Sequence, residues 1–404
     1  MIWGWKSSAV CAIMEKRTEK DGKISMNEKE IAELRRRFRP DKNNIPCVRG
    51  CCVNEKGEIV SQFRQSLAIM PEEEAEKLLG ILRKALSGGL GKNLMDISFT
   101  TQQVADSDEH RLLMALRDSV MDDDQVAENF YQKVAEALTL EGNYLILLAR
   151  DVYDVPYRSK DGEKQEDASS EVFTYVLCAI CPVKTTKPAL GYYLSDNEFR
   201  TCGIDWLVAP PETGFLFPAF DDRSTNIYDV LYYSRNTAEN RPELVEALFQ
   251  AKPPMPAAVQ KETFQTVLAE SLAEECCYDV LQGMDSQLRD MVEEHKANHV
   301  EEPLQVSRET VKGILEDCGV SEERVEAFDS KYREAFGDEG DLSPKNLLEP
   351  TRIAICTPGV NVQVKPECSN LVETRVIDGA KYILIRVEEG VEVNGVPVKI
   401  QGKN

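Results

Sequence analysis

The spacing of apolar residues predicts that the first part of the chain is mainly helical. Apolar residues three and four positions apart form stripes that begin at Ile31, Leu78 and Val126, and this is the period of an amphipathic helix. Ser25 and Glu28 have the spacing of a capping box, which predicts that Ser25 accepts a hydrogen bond from the Glu28 amide where the first helix begins. Short strand-like runs separate these stripes.

Residues 144–236 carry a different pattern, made of short apolar runs of strand length. Tyr144–Val152 and Val172–Val183 are two such runs, and the polar segment 159–170 between them suits an antiparallel pair. More strand-like runs follow, while Ile227–Tyr233 could be a strand or a helix. We interpret this region as the sheet core of the protein.

Helical spacing returns in residues 242–336, where Ser307 and Ser321 are each placed to cap a helix. The last part of the chain is rich in strand formers, and Asp378-Gly379 and Asn394-Gly395 are two-residue hairpin signals. The pattern as a whole predicts an α+β fold. Its central sheet is antiparallel or mixed, with helical segments before and after it and a C-terminal β-hairpin unit.

These patterns suggest a division of the chain into three parts. We predict that residues 1–25 are a disordered N-terminal extension, 26–345 an α+β main body, and 346–404 a β-rich C-terminal unit. The apolar run Ala9–Met14 is too short to cross a bilayer, which needs about 20 residues. We therefore expect no membrane anchor.

Composition and charge narrow the function classes. The 404 residues are 42% hydrophobic and 29% charged, which is typical of a globular protein. A net charge of −22 disfavours nonspecific binding to nucleic acid and to anionic lipid. Twelve cysteines without a recognisable secretion signal indicate reduced thiols and a cytoplasmic location.

The segment 215–236 combines aromatic anchors with a dense polar run and holds the best candidate site. Asp221, Asp222, Arg223 and Asn226 are the candidate ligand-binding residues. Neighbouring carboxylates can bind a divalent ion or act as acid and base, and an arginine can hold a phosphate or carboxylate with two hydrogen bonds. The alternative is a turn in which the aspartates accept backbone hydrogen bonds and Arg223 bridges to them.

Other chemistry-bearing motifs favour structural interpretations. Cys178 and Cys181 have redox-motif spacing, but they follow a strand on which they face opposite sides, so core packing is the better interpretation. The glycine-rich run 87–93 departs from a phosphate loop and fits a helix end followed by a turn. His295 and His299 lack the glutamate of a zinc-protease motif. The sequence assigns no catalytic residue and no metal ligand, and it leaves the cofactor unknown.

Several runs carry a resemblance to a known family. They are MNEKEIAELRRRF from Met26, SGGLGKNL from Ser87, LCAICPVK from Leu177, FPAFDDRSTNIYDVLYY from Phe217 and LVETRVIDGAKYILI from Leu371. On these runs the chain resembles the uncharacterised bacterial domain-of-unknown-function family DUF4317. The resemblance runs from Met26 nearly to the end of the chain. It implies a cytosolic bacterial protein and transfers no catalytic residue.

Three function hypotheses follow. The leading one is a cytosolic binding or scaffolding protein without catalysis, with a protein or a small polar ligand as its partner. The alternative is an enzyme acting on a small polar or phosphorylated substrate through Asp221, Asp222 and Arg223. A weaker alternative is a nucleic-acid-associated protein that uses the basic helix at Arg35–Arg39.

Overall fold

The computed structural model describes residues 26–119, 122–158, 164–203, 205–298, 300, 302–338, 340–349, 351–387, 390–393 and 395–400. The predicted extension over residues 1–25 lies outside them. The chain divides into two compact units, one up to Pro256 and one from Ala257. Among the described residues, no helix combines the length and apolar composition that a membrane span requires. The sequence-based boundary near residue 345 stays a prediction.

The first unit is built on an antiparallel sheet. Its strands are β1 (Cys47–Val53), β2 (Ile59–Ser66), β3 (Leu94–Ser98), β4 (Tyr144–Arg158), β5 (Lys164–Thr185), β6 (Ala189–Tyr193), β7 (Glu198–Cys202), β8 (Trp206–Val208), β9 (Thr213–Phe217), β10 (Ala219–Asp221), β11 (Ser224–Asn226) and β12 (Asp229–Ser234). The main sheet has the order β2-β1-β4-β5-β9-β12-β3, with β8 also paired to β5. The region 227–233, left open between strand and helix, therefore forms strand β12.

The pairing of β4 with β5 is the central ladder of this sheet. The two strands keep a regular antiparallel register from Tyr144↔Pro182 to Val155↔Glu171, and pairing continues to Arg158↔Lys164. The antiparallel pair predicted from the apolar runs is therefore confirmed. The ladder runs further than predicted, because backbone pairing continues into the polar segment that was expected to be a loop.

Side chains on the two faces of the sheet feed two separate apolar cores. Along β5, Val176, Cys178 and Ile180 belong to one buried cluster, whereas Leu177 and Cys181 belong to the other. This alternation is the period-two geometry of a strand. A sheet with two buried faces needs cover on both sides, and helices provide it.

Helices cover both faces of the sheet in the first unit. They are α1 (Glu28–Arg37), α2 (Glu72–Lys84), α3 (Thr101–Asp106), α4 (Asp108–Ser119), α5 (Asp124–Ala137) and α6 (Pro242–Phe249), with a 3₁₀ turn at Leu67–Ile69. The buried side chains of α4, α5 and α6 pack in the cluster that contains Cys178, and those of α1 and α2 pack in the cluster that contains Cys181. The unit is thus three layers deep.

The N-cap of the first helix lies two residues after the predicted one. Asn27 is the N-cap, and its side chain accepts hydrogen bonds from the amides of Lys29 and Glu30. Glu30 completes the capping box by accepting from the Asn27 amide at 2.9 Å. The predicted cap, Ser25, lies outside the described residues. The prediction was wrong about the register because Asn27 and Glu30 offer the same spacing, with asparagine an equally good cap.

The second unit joins a helical core to β-hairpins. Its helices are α7 (Ala257–Leu272), α8 (Tyr278–Ala297), α9 (Arg308–Asp317), α10 (Glu322–Phe336) and α11 (Pro344–Leu347), with 3₁₀ turns at Ala273–Glu275 and Pro366–Leu371. Its strands pair in three hairpins, β13 (Ile353–Thr357) with β14 (Val360–Val364), β15 (Val372–Ile377) with β16 (Ala380–Ile385), and β17 (Val391–Val393) with β18 (Val396–Val398). The α+β fold class and the C-terminal hairpins are therefore confirmed. Asn394 lies outside the described residues.

The close approach of β9 to β5 leads to a stability prediction. A Cβ at Gly214 would lie 2.3 Å from the carbonyl oxygen of Cys178, which is backbone and cannot move aside. We expect Gly214→Ala to lower the free energy of unfolding by about 1–3 kcal/mol or more, since overpacking strains the sheet. Gly80→Ala is the matched control, because that helical glycine has no atom within 4 Å of the added carbon. It should raise stability by about 0.5–1 kcal/mol. Urea unfolding followed by circular dichroism measures both, and equal effects would contradict the register of β9 against β5.

Candidate functional site

The polar run singled out in the sequence forms a tight hairpin. Strands β10 and β11 pair through Ala219↔Asn226 and Asp221↔Ser224, which leaves Asp222 and Arg223 as the two turn residues. Both have left-handed backbone angles, with φ of 48° and 58°. A two-residue turn with both φ values positive is the type that matches strand twist, and glycine or asparagine usually occupies it. The Asp-Arg pair therefore holds a conformation that costs free energy, which contacts outside the hairpin must offset.

Those contacts come from helix α1 and from β4. The Arg223 amide donates to Glu30 Oε1 at 3.0 Å, and its guanidinium contacts the Glu33 carboxylate. The same guanidinium donates to the carbonyl oxygen of Pro156 at 2.8 Å. Arg223 thus links the hairpin to the helix and to the long strand, and both terminal nitrogens of its guanidinium contact acceptors within the protein.

The remaining candidate residues occupy different positions in this hairpin. Asn226 donates to Asp221 at 3.2 Å and to the buried Asp229 at 2.6 Å, so these three side chains form one polar group. Asp222 is exposed at the turn. The structure brings Asp221 and Asn226 together, and Arg223 contacts α1. Whether these residues bind a ligand stays a prediction.

A second group of side chains anchors α1 to the sheet. Asp151 on β4 is only 1% exposed and receives two hydrogen bonds from the Arg37 guanidinium, at 3.0 and 3.1 Å. It also accepts from the Asn44 amide and from the Tyr175 hydroxyl, each at 3.0 Å. Burial and the adjacent Asp151 carboxylate raise the pKa of Tyr175, so this hydroxyl keeps its proton.

Tyr153 joins the two groups. Its hydroxyl donates to Glu33 at 2.5 Å, and the Arg37 guanidinium lies over its ring at 4.8 Å from the centroid. Burial and then the Glu33 carboxylate raise the pKa of Tyr153. Glu33 therefore accepts from both Tyr153 and Arg223, and one connected network runs from the hairpin turn to the end of α1.

This network forms one wall of a cleft of about 480 Å³. The cleft is lined by four basic side chains, two acidic ones and four others, namely Arg36, Arg37, Lys42, Arg223, Glu33, Asp41, Asn43, Asn44, Tyr153 and Pro156. Arg36 and Lys42 are exposed, and neither side chain forms an ion pair with any residue in the described part of the chain. Arg37 and Arg223, in contrast, are held by carboxylates. The cleft thus has fixed cationic walls and two cations available to a ligand.

The sequence pointed to only part of this site. Arg223 was selected, and the basic run at Arg35–Arg39 was noted for its charge alone. Sequence analysis did not select four residues of this site, Asn43, Asn44, Asp151 and Tyr153. No motif spacing joins the first two to the last two, because they are more than a hundred positions apart. The signal that could have found the site was the density of cations and amides in RRRFRPDKNN from Arg35.

The other candidate motifs are structural in the described residues. Cys178 and Cys181 lie in opposite cores, and burial raises the pKa of Cys181 to about 12, so neither is an activated thiolate. His110 is buried with Nε2 2.9 Å from the carbonyl oxygen of Ile227. His295 contacts the Glu302 carbonyl at 2.8 Å, and its predicted neighbour His299 lies outside the described residues. No group of three or more metal-ligating side chains occurs among the described residues.

The fold and the cleft define the class of domain to which the first unit belongs. The first unit is an α+β domain in which helices cover both faces of an antiparallel sheet and a cationic cleft opens beside the first helix. The profile of the domain of unknown function DUF4317 matches residues 26–396, and the chain belongs to this family. No curated protein matches the chain.

The buried Asp151 gives a stability prediction for the cleft wall. Asp151→Ala should lower the free energy of unfolding by about 3–5 kcal/mol, because it leaves the partly buried Arg37 cation and the buried Tyr175 hydroxyl without their acceptor. Asp154→Ala, at an exposed position of the same strand, is the control and should change stability by about 0.5 kcal/mol or less. Chemical denaturation measures both. Similar losses for the two variants would show that the network does not hold α1 on the sheet.

Glu30 gives a pH prediction. Burial raises the pKa of Glu30 above its usual 4.5, with further increases from Asp221 and Asp222, despite the lowering effect of the Asn27 and Arg223 amides. The folded state therefore binds the proton of the Glu30 carboxyl more tightly than the unfolded state does. The stabilising contribution of the protonated carboxyl is present at low pH and is lost as pH rises through the raised pKa.

Glu30→Gln removes this titration. The stability of the wild type relative to this variant should fall as pH rises from about 4.5 toward neutrality. Glu28→Gln removes a charge from the same helical turn at an exposed position and is the control. Thermal unfolding across pH 4 to 7 measures the difference. Superimposable pH curves for the two variants would contradict the assignment to Glu30.

Proposed function

We propose that this protein is a cytoplasmic bacterial binding protein whose first unit holds a small anionic ligand, bearing a phosphate or carboxylate group, in the cleft beside α1. The observation that carries the proposal is the pair of exposed cations, Arg36 and Lys42, on the wall of a cleft and without ion-pair partners in the described residues. The proposed role requires no catalysis.

Electrostatics favours this role in an otherwise acidic chain. A net charge of −22 repels anions in general, so a local excess of cations is needed to attract one. The planar Arg36 guanidinium can donate two parallel hydrogen bonds to a phosphate or carboxylate, and the Lys42 ammonium adds a compact charge. The Asn44 side chain, which also donates to the Val152 carbonyl oxygen at 2.9 Å, adds a neutral donor and acceptor beside them.

The size and rigidity of the cleft support a small ligand. Its volume of about 480 Å³ falls in the range of small-molecule sites, roughly 300–1,000 Å³. Arg37 is fixed by Asp151 and Arg223 by Glu33, so their charges are in place before a ligand arrives. Preorganised groups lose less conformational entropy on binding, which favours affinity.

The sequence-selected residues have a defined place in this proposal. Arg223 lines the cleft and would contact a ligand with the donor capacity that Glu33 and Pro156 leave. Asp221, Asp222 and Asn226 would act on the ligand through the hairpin that carries Arg223. A protein partner remains compatible with a ligand-binding unit.

A ligand panel tests the proposal. Inorganic phosphate, sugar phosphates, nucleotides and dicarboxylates should be screened against the full chain by thermal shift, since a ligand at 100 times its dissociation constant stabilises by about 2.7 kcal/mol. Arg36→Ala and Lys42→Ala should each weaken a positive ligand by about tenfold or more, the value of one charged hydrogen bond. Arg39→Ala removes an exposed arginine that does not line the cleft and is the control.

The outcomes separate the alternatives. A stabilising anion that loses affinity with Arg36→Ala and keeps it with Arg39→Ala supports the cleft as its site. Equal losses in both variants would indicate general charge attraction instead. A panel without any stabilising anion would contradict the proposal.

A further inference from the structure

A long β-ribbon extends from the sheet of the first unit between Val183 and Val208. Strand β5 pairs with β8 from Val183↔Val208 to Thr185↔Trp206, and β6 pairs with β7 from Ala189↔Cys202 to Tyr193↔Glu198. The two ladders keep the same register, and the hydrogen bond from the Thr186 amide to the Asp205 carbonyl bridges them at 2.9 Å. We call this continuous ribbon the arm.

The arm carries an apolar face that nothing in the described residues covers. Cross-strand partners and residues two apart share a face, which groups Leu190, Tyr192 and Phe199 near the tip and places Leu207 on the same face nearer the base. They are 72%, 51%, 69% and 56% exposed, and the rings of Tyr192 and Phe199 lie 5.1 Å apart. Leu194 at the tip is 82% exposed.

The opposite face is also exposed. Tyr193 and Trp206 lie on it at 40% and 55% exposure, with the Arg200 guanidinium 5.7 Å from the centre of the Tyr193 ring. A two-stranded ribbon without cover is only marginally stable in water. Soluble proteins rarely leave an exposed apolar surface of this size without a partner.

We propose that the arm is a dimerisation element that packs against the arm of a second copy of this chain. The apolar face, together with Leu194 at the tip, exposes roughly 600 Å², and a stable interface takes about 800 Å² from each partner, including its polar rim. One arm therefore offers most of the area that one half of a two-fold interface requires. In such an interface the same patch serves on both copies.

The charges at the two ends of the arm favour a second copy. Lys184 and Lys187 are exposed near its base and form no ion pair with any residue that the structure describes. The tip carries Asp196 and Glu198, which share the single guanidinium of Arg200, at 2.5 and 3.2 Å. The tip is thus net negative, and the base is net positive because the two lysines outnumber the exposed Asp205 beside them.

Two arms that cross antiparallel about a two-fold axis bring each tip over the other base. This arrangement pairs the opposite charges at both ends while the apolar faces meet between them. The acidic tip opposes nucleic acid and anionic lipid as occupants, because both are polyanions.

The mass of the full chain in solution tests the proposal. Sedimentation equilibrium should give twice the 45.5 kDa of one chain for the wild type. The double variant Leu190→Ser with Phe199→Ser should raise the dissociation constant of the dimer at least tenfold, while its circular dichroism spectrum and thermal midpoint stay those of the wild-type fold. Ile69→Ser, at an apolar position outside the arm that is 85% exposed, is the matched control and should remain dimeric.

Charge reversal provides a second test that leaves the apolar face intact. Lys184→Glu with Lys187→Glu, and separately Asp196→Lys with Glu198→Lys, should each weaken self-association. Mixing the two variants should restore a dimer, because each contributes the end that the other has reversed. A wild type that stays at the mass of one chain up to about 100 µM, well above the concentrations at which standard-size interfaces assemble, would overturn the proposal. A dimer that is indifferent to all of these variants would also overturn it.

Discussion

The buried ion pair between Arg37 and Asp151 is the constraint on which the cleft depends. Asp151 lies inside the core layer between α1 and the sheet, where an unpaired carboxylate would be strongly unfavourable. The pair is acceptable because donors from Arg37, Asn44 and Tyr175 surround its oxygens. Since Arg37 ends α1 and Asn44 follows its turn, one carboxylate fixes both segments that form the cleft wall. A hydrophobic contact could hold the helix but could not fix the direction of a guanidinium.

The hairpin at Asp222–Arg223 forms the other part of the cleft wall, and there too an unfavourable local feature is offset by contacts with α1. Two non-glycine residues in left-handed conformation are unfavourable for the hairpin alone. Its contacts with Glu30 and Glu33 offset that cost, and both acceptors lie on α1. Glu30, the acidic residue of the capping box, is therefore also an acceptor for the hairpin, so the start of α1 and the hairpin turn are positioned by the same side chain. The backbone strain at Asp222 and Arg223 is consistent with a hairpin whose shape matters more than its own stability.

The fold was more predictable from the sequence than the site. Apolar composition identifies the β4–β5 pair, because both faces of these strands are buried and each strand appears in the sequence as a short continuous apolar run. The extension of that ladder into the polar segment 159–170 was missed, since backbone pairing there does not depend on apolar side chains. Ser25 was preferred over Asn27 as a cap because both fit the same short motif, and only the register of the helix distinguishes them.

The cleft illustrates why site prediction stopped at Arg223. Its residues become neighbours only when β4 passes beside α1, and a single sequence contains no record of that pairing. Arg36 and Arg37 are adjacent in the chain and chemically identical, yet one is bound by a buried carboxylate and the other is exposed. Their difference arises from the turn of a helix, which places neighbouring residues about 100° apart and so only one of them over Asp151.

Two sets of cationic side chains lack ion pairs in the described residues, and the surfaces around them differ. Arg36 and Lys42 line a concave surface beside amide side chains, where attraction rests on charge and hydrogen bonds. Lys184 and Lys187 flank an exposed apolar ribbon, where charge would orient a partner whose binding rests on buried area. Salt screens the first kind of attraction over a Debye length of about 8 Å at physiological ionic strength, while it leaves apolar burial largely intact. The same acidic chain can therefore recognise a small anion by charge and hydrogen bonds, and a second protein surface mainly by apolar burial. The two sets of cations serve these two kinds of binding separately.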